Sequence, residues 1–172
     1  MANTSATKKN VKATIDIAWL LYDIMNETFL RGRTIQNDEN YKEVASLFAS
    51  EDEENADKIL RSVKKGFAEV KTELSEYLTE SGLETNNANI TADKDLVLNL
   101  TMPSNFNEAA TAGVAEAIHD YLRNVAISEW YLVTNKNDAK EYIELARKSL
   151  ESIRKSVSKR SRPSRPESTG IV

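Results

Sequence analysis

Apolar residues recur along this chain at helical spacing. Val11, Ile15, Ala18, Tyr22, Met25 and Phe29 follow one another by four and three positions in turn, which lays them along one face of a helix. Ile17, Leu20, Leu21 and Ile24 form a second stripe beside it, and Trp19 joins them. The pattern predicts a helix apolar over more than half its circumference, either buried centrally or covered by another chain. Asp38 is placed to cap a short helix carrying Tyr41, Val44, Leu47 and Phe48. Ser50 and Glu53 fit a capping box, in which a hydroxyl and a carboxylate satisfy the orphan N–H groups at a helix start. The helix it opens runs through Ala56, Leu60, Val63, Phe67, Val70, Leu74 and Tyr77 to about Ser81, with a charged, solvated opposite face. Gly32 and Gly82 each stand just past a periodic run, where a left-handed C-cap wants glycine.

From Glu84 the period changes. Asn86, Asn87 and Asn89 make a polar loop, and Ile90–Thr91 and Leu96–Met102 then flank Ala92–Asp95. Leu96, Leu98, Leu100 and Met102 alternate with Val97, Asn99 and Thr101 up to Pro103, which predicts a small β-hairpin over about 89–102. Ser104 or Asn105 then caps a helix from Asn107 to about Thr134, whose segment from Val125 to Val133 is apolar almost all round. Asn135 or Asn137 caps a last helix through Ala139, Tyr142, Ile143, Ala146, Leu150, Ile153 and Val157, ending at Ser158. The expected fold is mainly α: a bundle of four long helices and one short one, with the hairpin inserted before the C-terminal helix pair. The expected organisation is a flexible segment 1–9, a single helical domain 10–158 and a flexible basic tail 159–172.

Composition narrows the chemistry. The chain has 172 residues, no cysteine and one histidine. Disulfides, thiolate zinc, iron–sulfur clusters and a cysteine nucleophile are excluded, and any histidine-based triad must use His119. Glu116 and His119 form a Glu-x-x-His pair, but the di-iron bundles that use this motif need it twice. Asp93, Asp95 and Asn99 lack the turn glycine and distal glutamate of a calcium loop. There is no glycine-rich phosphate loop and no Gly-x-Ser-x-Gly or His-Glu-x-x-His motif. The expectation is a protein with no catalytic residues, no metal, no cofactor and no small-molecule substrate. Asp16 and Asp23 interrupt the apolar run from Ile15 to Ile24, and neither a leader peptide nor a membrane span is expected.

Charge is distributed unevenly. Eight Lys or Arg against two Glu give residues 147–172 a charge of +6, so the total of −4 leaves −10 for residues 1–146. A basic segment on an acidic body attracts phosphate backbones or acidic protein surfaces, with a contribution that falls as salt rises.

The second half also resembles a known group. The strand Leu96–Met102 ending at Pro103, Tyr121–Leu122, Trp130–Tyr131 late in one helix, the run from Ala139 to Ile153 and the basic end Lys159-Arg160-Ser161-Arg162-Pro163 come in a familiar order. Over about residues 96–163 the chain resembles small helical structural proteins of the head–tail connector (adaptor, or ring) group, found in tailed phages and prophages of Bacteroidetes-type bacteria. The resemblance implies a non-enzymatic virion protein, assembled in the host cytoplasm as a homo-oligomeric ring of about twelve copies on the portal, around the DNA channel. Portal and neighbouring tail or connector proteins would be its partners. It implies Trp130 and Tyr131 as interface anchors, and Lys159, Arg160, Arg162 and Arg165 as tail contacts to a neighbouring chain or, non-specifically, to DNA. The residues alone leave an alternative open: a cytosolic helical-bundle module that uses its basic tail to engage nucleic acid or an acidic protein.

Overall fold

The computed structural model describes residues 7–35, 40, 44–49, 53–79 and 94–163. The described chain is mainly helical, with four long helices and one antiparallel pair of strands. In chain order these are β1 (Lys9–Ile15), α1 (Ile17–Ile35), α2 (Glu53–Glu73), β2 (Leu96–Met102), α3 (Thr111–Thr134) and α4 (Lys136–Val157). Of the short helix expected after Asp38, only Asn40 and 44–49 are described; Val44 N–H donates to Asn40 O at 3.0 Å, and Val44 and Leu47 are buried. Asp38, Tyr41, Ser50, Gly82 and the first strand of the expected hairpin lie outside the described residues.

The first described element is a strand, not a helix from Val11. Val11, Ala13 and Ile15 are buried while Asn10, Lys12 and Thr14 face out, an alternation of period two that the four-residue step from Val11 to Ile15 also satisfies. Asp16 separates the two elements. Its Oδ1 accepts the Trp19 N–H at 3.0 Å, capping α1, and the strand therefore stops at Ile15.

The partner of β2 is β1, far upstream in the chain. Ile15 faces Leu96, Val11 faces Leu100 and Lys9 faces Met102, so both rows of buried residues lie on one face of the pair. That face packs on α3 through β1. The other edge of β2 is occupied as well: Leu78 bridges to Leu100, and Thr79 N–H donates to Asn99 O at 3.2 Å. This explains why α2 stops at Glu73 and not near Ser81. Its continuation through a 3-10 turn, Ser75–Tyr77, sends the backbone of 78–79 to the strand instead.

α3 lies at the centre. It is buried on several sides, through Val114, Ile118, Leu122, Ile127, Trp130 and Tyr131, and α1, α2, α4 and β1 each pack against it. Neither Ser104 nor Asn105 caps α3, which starts at Thr111, not at Asn107, and has no side-chain cap of its own, whereas α4 starts from Asn135, one of its two expected caps. Asn107 caps the 3-10 turn Glu108–Ala110 that leads into α3, and Asn135 Oδ1 accepts the N–H groups of Asn137 and Asp138 at the start of α4. Gly32 is not a C-cap: it lies inside α1, where the Phe48 ring occupies the space a Cβ would need.

The start of the expected flexible tail is fixed to the body. Asn107 N–H donates to Lys159 O at 3.1 Å and Ser161 N–H to Asn105 O at 2.8 Å, making a short antiparallel bridge around the fully buried Phe106. Polar ties join the helices on the outside. Glu129 of α3 accepts from both Ser62 and Lys65 of α2; burial pushes its carboxyl up, but these bonds outweigh burial and hold it below the usual carboxylate range. Arg154 of α4 pairs with Glu73 of α2 in the same way.

Two substitutions test this account. Asn135→Ala should lower stability by about 1 kcal/mol, measured by urea unfolding, because two N–H groups of α4 lose their acceptor. Glu129→Gln should be less stable than the natural chain at neutral pH. A carboxyl whose folded-state value is depressed stabilises above its ordinary value and loses that contribution as pH falls through the folded one. The difference between the two proteins should therefore shrink on acidification below about pH 4.

Candidate interaction surface

The wheel of α1 divides cleanly. At about 100° per residue, Ile17, Leu20, Leu21, Ile24 and Thr28 fall on one side and are buried. Trp19, Tyr22, Phe29 and Leu30 fall on the opposite side, with Asn26 and Arg33 between and beyond them. Their relative exposures are 63%, 58%, 44% and 51%, so four large apolar side chains on one helix face stand in water. Trp19 and Tyr22 meet edge to face at 5.9 Å, and the Arg33 guanidinium lies 5.7 Å from the Phe29 ring centre.

Both flanks of this stripe are held. On one side Arg31 makes a two-pronged bond to Asp138, 2.9 Å for each prong, with Glu141 at 3.2 Å. The hydrogen bond to Asp138 raises the Arg31 guanidinium above its ordinary value. Tyr142 O–H donates to Glu27 at 2.7 Å; burial first, then the Glu27 carboxylate, pushes that phenol up. His119 Nε2 stands 3.0 Å from Asp23 Oδ2, close enough for an ion pair when the imidazole is protonated but outside hydrogen-bond geometry. On the other side Phe29 stacks on Phe48 at 5.4 Å. Latched along both edges, α1 cannot turn its aromatic row inward.

From Phe48 the apolar surface continues into a crevice. Phe48, Trp130 and Val133 line it with Lys58 and Asn55. Next to it an open groove of about 910 Å³ runs between α2 and the end of α3, walled by Lys58, Arg61, Lys65, Asp57 and Glu129 and floored by Leu132 and Val133, which are 49% and 72% exposed.

The residues singled out from sequence lie elsewhere. Trp130 is buried, donates its indole N–H to Leu47 O at 2.9 Å, and carries the Lys58 ammonium 5.0 Å from its ring centre. Tyr131 is fully buried against Tyr142. Both rings fill the centre of the bundle, whose packing needs their volume, and of the two only Trp130 reaches the surface, at the crevice beside Phe48. Lys159, Arg160 and Arg162 are exposed on the pinned segment, with Arg160 donating to Val157 O at 2.8 Å; Arg165 lies outside the described residues. Lys9 joins this basic end, donating to Phe106 O at 3.0 Å beside Glu108. Of the outward row, Tyr22 and Phe29 belong to the first stripe read in the sequence and Trp19 joins the second, but Leu30 belongs to neither, and Met25 of the first stripe packs on the core.

Among the described residues no three His, Asp or Glu side chains converge on a point that could hold a metal ion, and no helix is long and apolar enough to cross a membrane. Arg31→Ala should lower the unfolding midpoint, since Asp138, half enclosed, loses its cation. Trp19→Ser and Leu30→Ser, measured at low protein concentration, should stay within about 0.5 kcal/mol of the natural chain, because neither side chain supports the monomer. No family model, curated protein or solved structure matches the chain.

Proposed function

We propose that this is a non-enzymatic assembly protein that works through its surfaces, and that the outward face of α1 is covered by another protein chain in the working assembly. The observation that carries this is the row Trp19, Tyr22, Phe29 and Leu30, exposed on a helix whose flanks are locked. Leaving such a row in water costs solubility and does nothing for the fold; burial against a partner recovers roughly 25 cal/mol per Å² of apolar area. In its finer form the proposal is the one the sequence resemblance implies: a head–tail connector component seated on a phage portal, in the virion. A head-to-tail ring of this kind joins unlike faces of successive subunits, and the apolar α1 row and the charge-walled groove that holds Leu132 and Val133 are two unlike surfaces available for it.

The first test is genomic, whether a portal gene lies beside this one, and the second mixes the purified chain with the portal protein of that genome. Co-migration and ring-shaped particles by negative stain are expected, and Tyr22→Asp should abolish both. A chain that stays monomeric and ignores that portal contradicts the connector form.

A second reading has its own support. The basic segment is fixed by main-chain bonds to Asn105–Asn107, which holds Lys159, Arg160 and Arg162 at one end of the body together with Lys9. A built cationic end suits a phosphate backbone or an acidic protein. Fluorescence anisotropy with duplex DNA should then show binding that weakens with salt and drops when Arg160 and Arg162 are both changed to Ser; unchanged binding removes this segment from the mechanism.

A further inference from the structure

The outward row of α1 is symmetric about Asn26. Trp19 and Arg33 stand at equal distances on either side of it, and so do Tyr22 and Leu30. All five fall within a narrow sector of the helix opposite the buried stripe. From this we propose that the occupant of the α1 face, in the free protein, is the α1 face of a second copy, packed antiparallel across a two-fold axis at Asn26. The inference rests on the reading of this face as one covered by another chain, and names that chain.

Three features favour a copy over an unrelated helix. A contact between identical faces must be self-complementary, each residue meeting one that is not its own equivalent except on the axis. Antiparallel pairing does this: Trp19 meets Leu30 and the Arg33 guanidinium of the second copy, Tyr22 meets its Phe29, and indole over guanidinium is a favourable cation–π pair. On the axis, each Asn26 carboxamide can both donate and accept, so two of them satisfy one another. A single polar residue in an apolar seam is a known device for fixing register. Charge agrees as well. Asp16, the cap just before α1, and Asp23 lie toward its N-terminal end, and the outward C-terminal end carries Arg33. Antiparallel helices bring acid to base and oppose their dipoles, whereas parallel ones set Arg33 against Arg33.

Trp19 to Arg33 covers roughly 21 Å of helix at about 1.5 Å per residue, long enough for a helix–helix seam. A two-fold contact closes on itself, so this is the state in which the free chain hides its aromatic row; in a head-to-tail ring α1 would exchange this partner for another.

The chain has no cysteine, so an introduced thiol is unique. Asn26→Cys in the full chain should form a disulfide-linked dimer under mild oxidation, while Lys148→Cys, exposed on α4, should stay largely monomeric under the same conditions. Separately purified Trp19→Cys and Arg33→Cys, once mixed, should link to one another more than each links to itself. In sedimentation equilibrium the natural chain should dimerise, and Tyr22→Asp should weaken the dimer at least about tenfold. Preferred Trp19→Cys self-linkage would overturn the antiparallel geometry. An Asn26→Cys chain that neither links nor dimerises overturns the second copy as occupant. In that case the wider reading is judged separately: protection of the Asn26→Cys thiol from a maleimide reagent on adding the portal protein keeps it, and full labelling removes it along with the copy.

Discussion

The structure depends on the need to cover α3. Its surface is apolar on several sides, and a helix of that kind cannot stand in water at any orientation. α2 and α4 take two sides, the β1–β2 pair takes another through β1, and α1 takes what is left. Because each element covers only one side of α3, each needs only one apolar face. α2 and α4 have charged outer faces, carrying the Lys65–Glu129 and Arg154–Glu73 ties. The outer face of β1 is Asn10, Lys12 and Thr14. Among the described elements α1 carries a second apolar row, Trp19, Tyr22, Phe29 and Leu30, that α3 does not use.

That asymmetry separates folding from function. The buried stripe of α1 belongs to the core, and its polar flanks, Glu27 to Tyr142 and Arg31 to Asp138, fix how the helix is turned. Of the outer row only Phe29, against Phe48, helps to hold the monomer together. Aromatic side chains in such a position lose ordered water on association at small cost in rotamer entropy, and for this reason contacts between proteins are built around them. Trp130 and Tyr131, although aromatic and adjacent, have the opposite fate: they fill the middle of the bundle and close over Leu47 and Tyr142.

Much of this was legible in the residues, and what was not has physical causes. Asn135 as a cap, the α3 and α4 spans and the alternation of Leu96–Met102 follow from local chemistry, and local chemistry is what a sequence records directly. The partner of β2 does not follow, because strand pairing is a contact between segments far apart; Val11 and Ile15 fit a helix step as well as a strand step, and Asp16, which separates strand from helix, reads in the sequence only as a break in an apolar run. The end of α2 failed for the same reason: Leu74 and Tyr77 continue its periodicity, but the free edge of β2 captures Leu78 and Thr79. The excess apolar surface of α1 was visible from the start. Which side of the helix faces outward is set by tertiary packing: Met25 of the first stripe turns to the core, while Trp19 and Leu30 turn out.

The central claim is that the outer row of α1 is covered by protein when the molecule works. The two tryptophans report on it directly, since Trp19 is largely exposed and Trp130 is buried. Collisional quenching by acrylamide, followed as protein concentration rises and again as a candidate partner is added, separates an accessible from an inaccessible population. The account predicts that the accessible component, Trp19, becomes protected as the assembly forms while Trp130 stays protected throughout. Trp19 quenched as fully in every assembled state as in the dilute monomer would contradict it.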